Sequence, residues 1–261
     1  MNEALKITEL SVDYATPYGR KPALREVTLA LTEGRVLGIV GESGSGKSTL
    51  LHAIARLLPA AATITTGTIE CLGTRIDAMT PREFAPFRGR IISAMVQDAG
   101  SGLHPLMTIG AQIDETLRYI APETTSGRSS AADLMKRVGL DPALADRHPH
   151  RLSGGQRQRV GLALALAGAP KILLADEPTA SLDTIGRLEF AELLRDTVRT
   201  AGIAAMLVSH DVGLIGAVAD DIAVVLDGRV VERGSVGGIL RAPQHGYTQT
   251  LIAASARASA A

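Results

Sequence analysis

A chain of 261 residues can bury a substantial core, enough for one large α/β unit with a smaller lobe inserted or appended. Its 27 basic and 27 acidic residues cancel and only 3% of residues are aromatic, with no Trp, which argues against nucleic acid as a partner. The single cysteine, Cys71, excludes an internal disulfide or a cysteine-only metal site and reads as a small packed residue in a reducing compartment.

The N-terminal residues Met1-Asn2-Glu3-Ala4-Leu5-Lys6 lack a basic region followed by an apolar one, so no export signal is expected and the chain is placed in the cytoplasm. Residues 5–14 and 23–31 alternate apolar and polar side chains, as in Val27, Leu29 and Leu31, which predicts half-buried antiparallel strands in an N-terminal β lobe. Short, almost wholly apolar runs follow at 36–40, 91–96, 172–175, 204–208 and 222–226. Such runs predict strands buried on both faces of a mainly parallel sheet.

Helical patterns lie between these runs. Thr108 can cap a helix carrying Ile109, Ile113, Leu117 and Ile120 on one face, and a second helix over 131–138 stops at Gly139. Residues 121–130, rich in Pro, Thr, Ser and Gly, read as a loop. The expected organisation is a single domain, 1–261, with residues 1–97 and 169–252 as core and β lobe and 98–168 as a helical insertion. Asp227-Gly228 predicts a tight hairpin, and the Ala- and Ser-rich residues 253–261 a frayed tail. The most apolar stretch, 160–169, is about half of the roughly 20 residues needed to span a bilayer.

Gly41-Glu42-Ser43-Gly44-Ser45-Gly46-Lys47-Ser48-Thr49 matches G-x-x-x-x-G-K-[ST], with a buried strand before it and an amphipathic helix after it. In such a P-loop, glycines let backbone N–H groups wrap phosphate oxygens, Lys47 adds a point charge, and the Ser48 hydroxyl is suited to coordinate magnesium. The P-loop alone leaves kinases, GTPases and many motors open. Ile172-Leu173-Leu174-Ala175-Asp176-Glu177 is an apolar strand ending in two carboxylates; Asp176 would face the metal, often through water, and Glu177 would polarise an attacking water. Gln97 and His210 each follow an apolar run and are expected at the carboxyl edge of the sheet, where ligands of doubly wound folds sit. Leu152-Ser153-Gly154-Gly155-Gln156 opens another predicted helix, with Ser153 at the cap and Gln156 placed to complete a capping box; its N–H groups make a second anion site.

Taken in order, Gly41 to Thr49, Gln97, Leu152 to Gln156, Asp176-Glu177, Ser181-Leu182-Asp183 and His210 resemble the ATP-binding cassette family over nearly the whole chain. The resemblance implies a P-loop NTPase core with a mainly parallel sheet, an N-terminal antiparallel β subdomain and an inserted helical subdomain. It implies a head-to-tail dimer with a second cassette, identical or paralogous, in which ATP and Mg2+ lie between one P-loop and the other chain's Leu152 to Gln156 segment. Glu177 is then the general base and His210 contacts the γ-phosphate. Ser48, Gln97 and Asp176 attend the metal, Gln97 also links the site to the membrane partner, and Asp183 communicates between sites. Tyr14 matches the aromatic that stacks on adenine, with Tyr18 as its rival.

A narrower resemblance comes from Val36 to Lys47, from Gln97-Asp98 followed by Leu103-His104-Pro105-Leu106-Met107-Thr108-Ile109-Gly110, and from Ala242-Pro243-Gln244-His245-Gly246-Tyr247-Thr248. These segments look like the ATPase subunits of bacterial importers for oligopeptides, dipeptides and nickel, although Ala99 and Gly246 stand where proline is usual. The implied assembly includes two transmembrane permease subunits docking near 98–110 and an extracytoplasmic substrate-binding protein. The chain itself would be peripheral on the cytoplasmic face of the inner membrane. His148 and His150, the one close histidine pair, read as a surface loop rather than a metal site. An exporter ATPase or a soluble, non-transport cassette ATPase is the alternative.

Overall fold

Two sheets follow from two patterns of burial in the computed structural model, which describes residues 2–95, 102–120 and 130–258. Strands β1 (Glu3–Thr16) and β2 (Gly19–Thr32) pair antiparallel, with Leu5 opposite Leu31 and Leu10 opposite Val27. Their alternate apolar side chains, Ile7, Leu10, Val12, Val27 and Leu29, are buried while the intervening polar ones face out. The lobe is larger than its two expected strands. Strands β4 (Ala62–Cys71) and β5 (Thr74–Arg75) extend it to the order β2-β1-β4-β5, and the Thr- and Ile-rich run of β4 is the β-branched signal that marks the first of them.

The second sheet holds β3 (Val36–Val40), β6 (Ile92–Met95), β7 (Ile172–Asp176), β8 (Ala204–Val208), β9 (Asp221–Leu226) and β10 (Arg229–Ser235) in the order β10-β9-β3-β8-β7-β6. All pairs are parallel except β9 with β10, which turn back on each other at Asp227-Gly228. Every residue of β3, β7 and β8 is buried. Period-two geometry sends their side chains to two separate cores. Val36, Val40, Leu173, Ala175 and Leu207 join one core, whereas Leu37, Ile39, Ile172, Leu174 and Met206 join the other with the β lobe. Truncating a fully buried leucine such as Leu174 to Ala costs about 2–5 kcal/mol.

Helix α1 (Lys47–Ala55) packs Leu50, Leu51 and Ile54 between the sheet and the β lobe. The four-residue helix α2 (Pro81–Phe84) carries a Thr80–Glu83 capping box. Between β6 and β7 the chain forms α3 (Ile109–Ile120), α4 (Ala131–Arg137), two short 3-10 turns at Pro142–Asp146 and Pro149–Arg151, and α5 (Gly154–Leu166). The helix expected over 131–138 ends at Arg137, with Val138 as its cap and Gly139 at φ 67°. After β7 come α6 (Thr184–Ala201), α7 (Val212–Val218), α8 (Val236–Arg241) and α9 (Gly246–Ala258). The tail expected to fray from residue 253 is helical through Ala258, as alanine's helix propensity favours.

No helix among the described residues is long and apolar enough to cross a membrane. Cys71 is fully buried in the β lobe, and burial pushes its thiol up to about 11, which fits a packing role. The architecture is the α/β fold of a P-loop NTPase core, with carboxyl ends of β3, β7 and β8 side by side.

Candidate active site

The phosphate loop begins where β3 ends. A Cβ on Gly41 would meet the Val225 carbonyl oxygen at 2.2 Å, so only glycine passes beneath the β9–β10 turn. Gly46, at φ 108°, caps α1 without any side-chain hydrogen bond. The first N–H groups of α1 are therefore left for an anion. The Lys47 ammonium folds back and donates to the carbonyls of Gly41 (2.8 Å) and Glu42 (2.6 Å). Burial pulls its pKa down, while the charges of Glu177, Asp176 and Glu42 oppose the fall. Ser43, Gly44, Ser48 and Thr49 line the open side, and the Ser45 side chain is buried beneath them.

The acidic pair lies across the cavity. Asp176 closes β7, 7% exposed, and its Oδ1 is buried with no hydrogen-bond partner among the described residues. Such an orphaned carboxylate oxygen next to Lys47 suits a hydrated cation, so the residues present fit magnesium. Glu177 follows at φ 46°, a left-handed conformation that costs a non-glycine residue on the order of 1–2 kcal/mol. Its N–H donates to Val208 O at 3.0 Å and its carbonyl accepts from Ala180 N at 3.1 Å, which holds the turn. His210 leaves β8 beside it, and its Nδ1 lies 3.0 Å from both carboxylate oxygens of Glu177. The His210 side chain is 60% exposed, against 14% for Glu177, so the imidazole is open to an incoming group.

A cavity of about 650 Å³ joins these parts, bounded by Tyr14, Lys21, Gly46, Lys47, Glu177 and His210 among others. That volume suits a cofactor-sized molecule. The Tyr14 hydroxyl sits 3.3 Å from Thr49 Oγ1, which holds the ring at the mouth, whereas Tyr18 is fully exposed at the hairpin tip. Gln97 lies outside the described residues.

The segment Leu152 to Gln156 is built differently. Leu152 is buried, Ser153 Oγ accepts from Gln156 N at 3.2 Å, and Gln156 Oε1 accepts from Ser153 N at 3.0 Å. The expected capping box is thus complete, and a Cβ added at Gly154 or Gly155 would come no nearer than 3.9 Å to Ser181 and 4.0 Å to Leu182. The segment contributes nothing to the lining of the 650 Å³ cavity. Asp183 caps α6, its Oδ1 accepting from Gly186 N at 2.8 Å. The rings of His148 and His150 stack with centroids 5.7 Å apart.

Sequence reasoning missed two polar links into this site. Gln158, 1% exposed on α5, donates from Nε2 to the carbonyl of Pro178, so the helix that starts at Ser153 is tied to the backbone just after Glu177. Tyr247 of α9 accepts at its hydroxyl from Glu42 N at 2.9 Å. Both partners are distant in sequence, so no local pattern signals either contact.

A model of the ABC transporter family matches residues 24–180. The chain is 38% identical over 253 residues to the putative peptide import ATP-binding protein of Brucella abortus (strain 2308), covering 96% of this chain and 76% of that one. It is 36% identical over 253 residues to the oligopeptide transport ATP-binding protein OppD of Bacillus subtilis (strain 168), covering 95% and 71%. It is also 36% identical over 253 residues to the dipeptide transport ATP-binding protein DppD of Escherichia coli (strain K12), covering 96% and 77%. Among solved structures it is similar to the dimeric post-hydrolysis state of the ATP-binding cassette MJ0796 bound to ADP and Pi, with a TM-score of 0.78, 30% identity and coverage of 89% and 98%. For cbiO1 from Clostridium perfringens, part of the ABC transporter complex cbiONQ, the TM-score is 0.79 at 26% identity, with coverage of 93% and 92%. With its P-loop, acidic strand end and capping-box helix start arranged as described, the chain belongs to the ATP-binding cassette family of transporter ATPases.

Proposed function

We propose that this ATPase powers peptide import, working as a dimer of cassettes on the cytoplasmic face of the inner membrane beneath two permease subunits fed by an extracytoplasmic binding protein. The carrying observation is the convergence of Lys47, Asp176, Glu177 and His210 at one sheet edge, while the Ser153 helix start contributes nothing to the lining of that cavity. Peptide is the proposed cargo because the relatives above are named for peptide, oligopeptide and dipeptide transport.

In this reading ATP lays its phosphates along the N–H groups of residues 43–49, with Lys47 neutralising charge and Tyr14 stacking on adenine. Ser48, Asp176 and Gln97 would hold magnesium, which supplies charge neutralisation on the phosphates when bound. Glu177 takes a proton from the attacking water as general base. His210 orients that carboxylate through Nδ1 and offers its exposed ring to the γ-phosphate. The Leu152-Ser153-Gly154-Gly155-Gln156 segment of a second cassette closes the nucleotide from the other side, with Asp183 between the two sites.

The test is reconstitution of the chain with its neighbouring membrane proteins in vesicles. ATP-dependent accumulation of labelled peptides is the expected result. Accumulation of nickel instead would replace the cargo, and co-purification with ribosomes or DNA in place of membrane proteins would sink the import reading.

A further inference from the structure

The phosphate loop is fastened from outside at its entry by the C-terminal helix. Glu42 carries a peptide N–H and a carbonyl that are both engaged. The carbonyl accepts from Lys47 Nζ at 2.6 Å and from Ser45 N at 3.2 Å, which closes the loop on itself. The N–H points the other way and donates to Tyr247 Oη at 2.9 Å, across 205 residues of sequence.

Tyr247 is firmly mounted. Like Leu251 and Ile252, it is partly buried against the core cluster that includes Leu214, Ile215 and Val218 of α7, and the neighbouring Thr248 is buried. The start of α9 is anchored to β10, because the Glu232 carboxylate accepts from Gln244 N (2.7 Å) and His245 N (3.0 Å). His245 Nδ1 in turn accepts from Tyr247 N at 3.2 Å. Burial, with the charges of Glu42 and Asp227, pushes the phenol above the ordinary tyrosine value, so it stays neutral at physiological pH.

We propose that Tyr247 is a positioning residue for the phosphate loop, holding the Glu42 peptide so that the loop's free N–H groups and Lys47 are arranged before nucleotide arrives. Preorganisation of this kind improves binding by lowering the ordering cost, without touching the reacting atoms. Glu177 and His210 make no contact with Tyr247 in the hydrogen bonds described, so the effect falls on nucleotide affinity rather than on the chemical step.

The inference rests on residues 41–49 being the phosphate loop, and Lys47→Ala separates the two ideas. If Lys47→Ala leaves ATP affinity unchanged, the loop assignment itself fails; if it abolishes binding while Tyr247 variants have no effect, only the positioning role fails. Tyr247→Phe keeps the ring and removes the hydroxyl. A net hydrogen bond's worth of loop order corresponds to a rise of about threefold to tenfold in both the ATP dissociation constant and KM. The rate at saturating ATP is expected to stay within about twofold, and the melting midpoint to shift by no more than about 2 °C. Amide exchange at Glu42 is expected to accelerate by a similar factor.

Glu232→Ala offers a second route, since it loosens the start of α9 while leaving the phenol in place. It is expected to weaken ATP binding in the same direction, and the double variant to be no weaker than Tyr247→Phe alone. Unchanged affinity in Tyr247→Phe overturns the proposal, as does a fall in saturating rate at constant KM. Fully multiplicative losses in the double variant also overturn it, because the anchor would then act by a path other than Tyr247.

Discussion

The two glycine-bearing helix starts of this chain look alike in sequence and are built on opposite principles. At α1 the cap is Gly46, which offers no side chain, so the first N–H groups have no partner from the cap and await an anion. At α5 the cap is Ser153, whose hydroxyl and whose own N–H are both spent on Gln156 in a complete capping box. The first site gathers a lysine, two carboxylates and an imidazole from its own chain. The second has Arg157 donating to the Leu152 carbonyl at 2.7 Å, and neither a carboxylate nor an imidazole among the hydrogen-bond partners of its described residues. A helix start stable by itself yet without an acid–base pair beside it suits a surface presented to another molecule's nucleotide, whereas one left uncapped suits a ligand of its own.

That contrast is broken most directly at Glu177. Replacing Glu177 with Gln preserves shape and hydrogen-bonding length but removes the base, so phosphate release is expected to fall by about 10²- to 10⁴-fold. ATP binding is expected to persist, and a nucleotide-bound dimer to accumulate in size-exclusion chromatography. Undiminished hydrolysis would remove Glu177 from the mechanism. Ser153→Arg probes the other helix start. It should cut turnover by at least about 100-fold, because a bulky cation would block the face that the proposed second cassette meets. Binding of ATP to the monomer, measured by fluorescence titration, should stay nearly intact. Equal loss of binding and turnover would show that Ser153 belongs to its own chain's pocket and dissolve the distinction.

The parts of this site visible in sequence were those with local grammar. The β3 boundaries, Val36–Val40, follow from an apolar run, and the Ser153–Gln156 capping box follows from spacing. The β9–β10 hairpin follows from Asp227-Gly228. Long-range geometry was not legible. Nothing near Glu42 announces Tyr247, and nothing near Gln158 announces the Pro178 carbonyl, since each contact exists only once the sheet has brought distant segments together. The left-handed turn at Glu177 was equally hidden, because a glutamate at φ 46° runs against local preference and is held there by the Val208 carbonyl of the neighbouring strand. Asp183 reads from its motif as a communicator, yet among the described residues its side chain makes an ordinary helix cap, and any wider role depends on what the proposed second cassette brings.

The mouth of the first site supplies the mildest test. Tyr14 lines the cavity with its hydroxyl beside Thr49, whereas Tyr18 stands fully exposed at the turn between β1 and β2. Stacking of a base on an aromatic ring is worth about 1–3 kcal/mol, and at the lower end of that range Tyr14→Ala is expected to raise KM for ATP about fivefold. Tyr14→Phe keeps the stacking face and loses only the contact with Thr49, so its KM should stay within about twofold. Tyr18→Ala should change neither KM nor the saturating rate. If the two tyrosines exchanged these behaviours, the base would lie against the hairpin tip, and the cavity at the phosphate loop would hold the phosphates without the adenine. The expected effect is small because, on the proposed reading, Tyr14 meets a part of ATP that does not react; the phosphates would still meet the backbone N–H groups that Gly46 leaves uncapped.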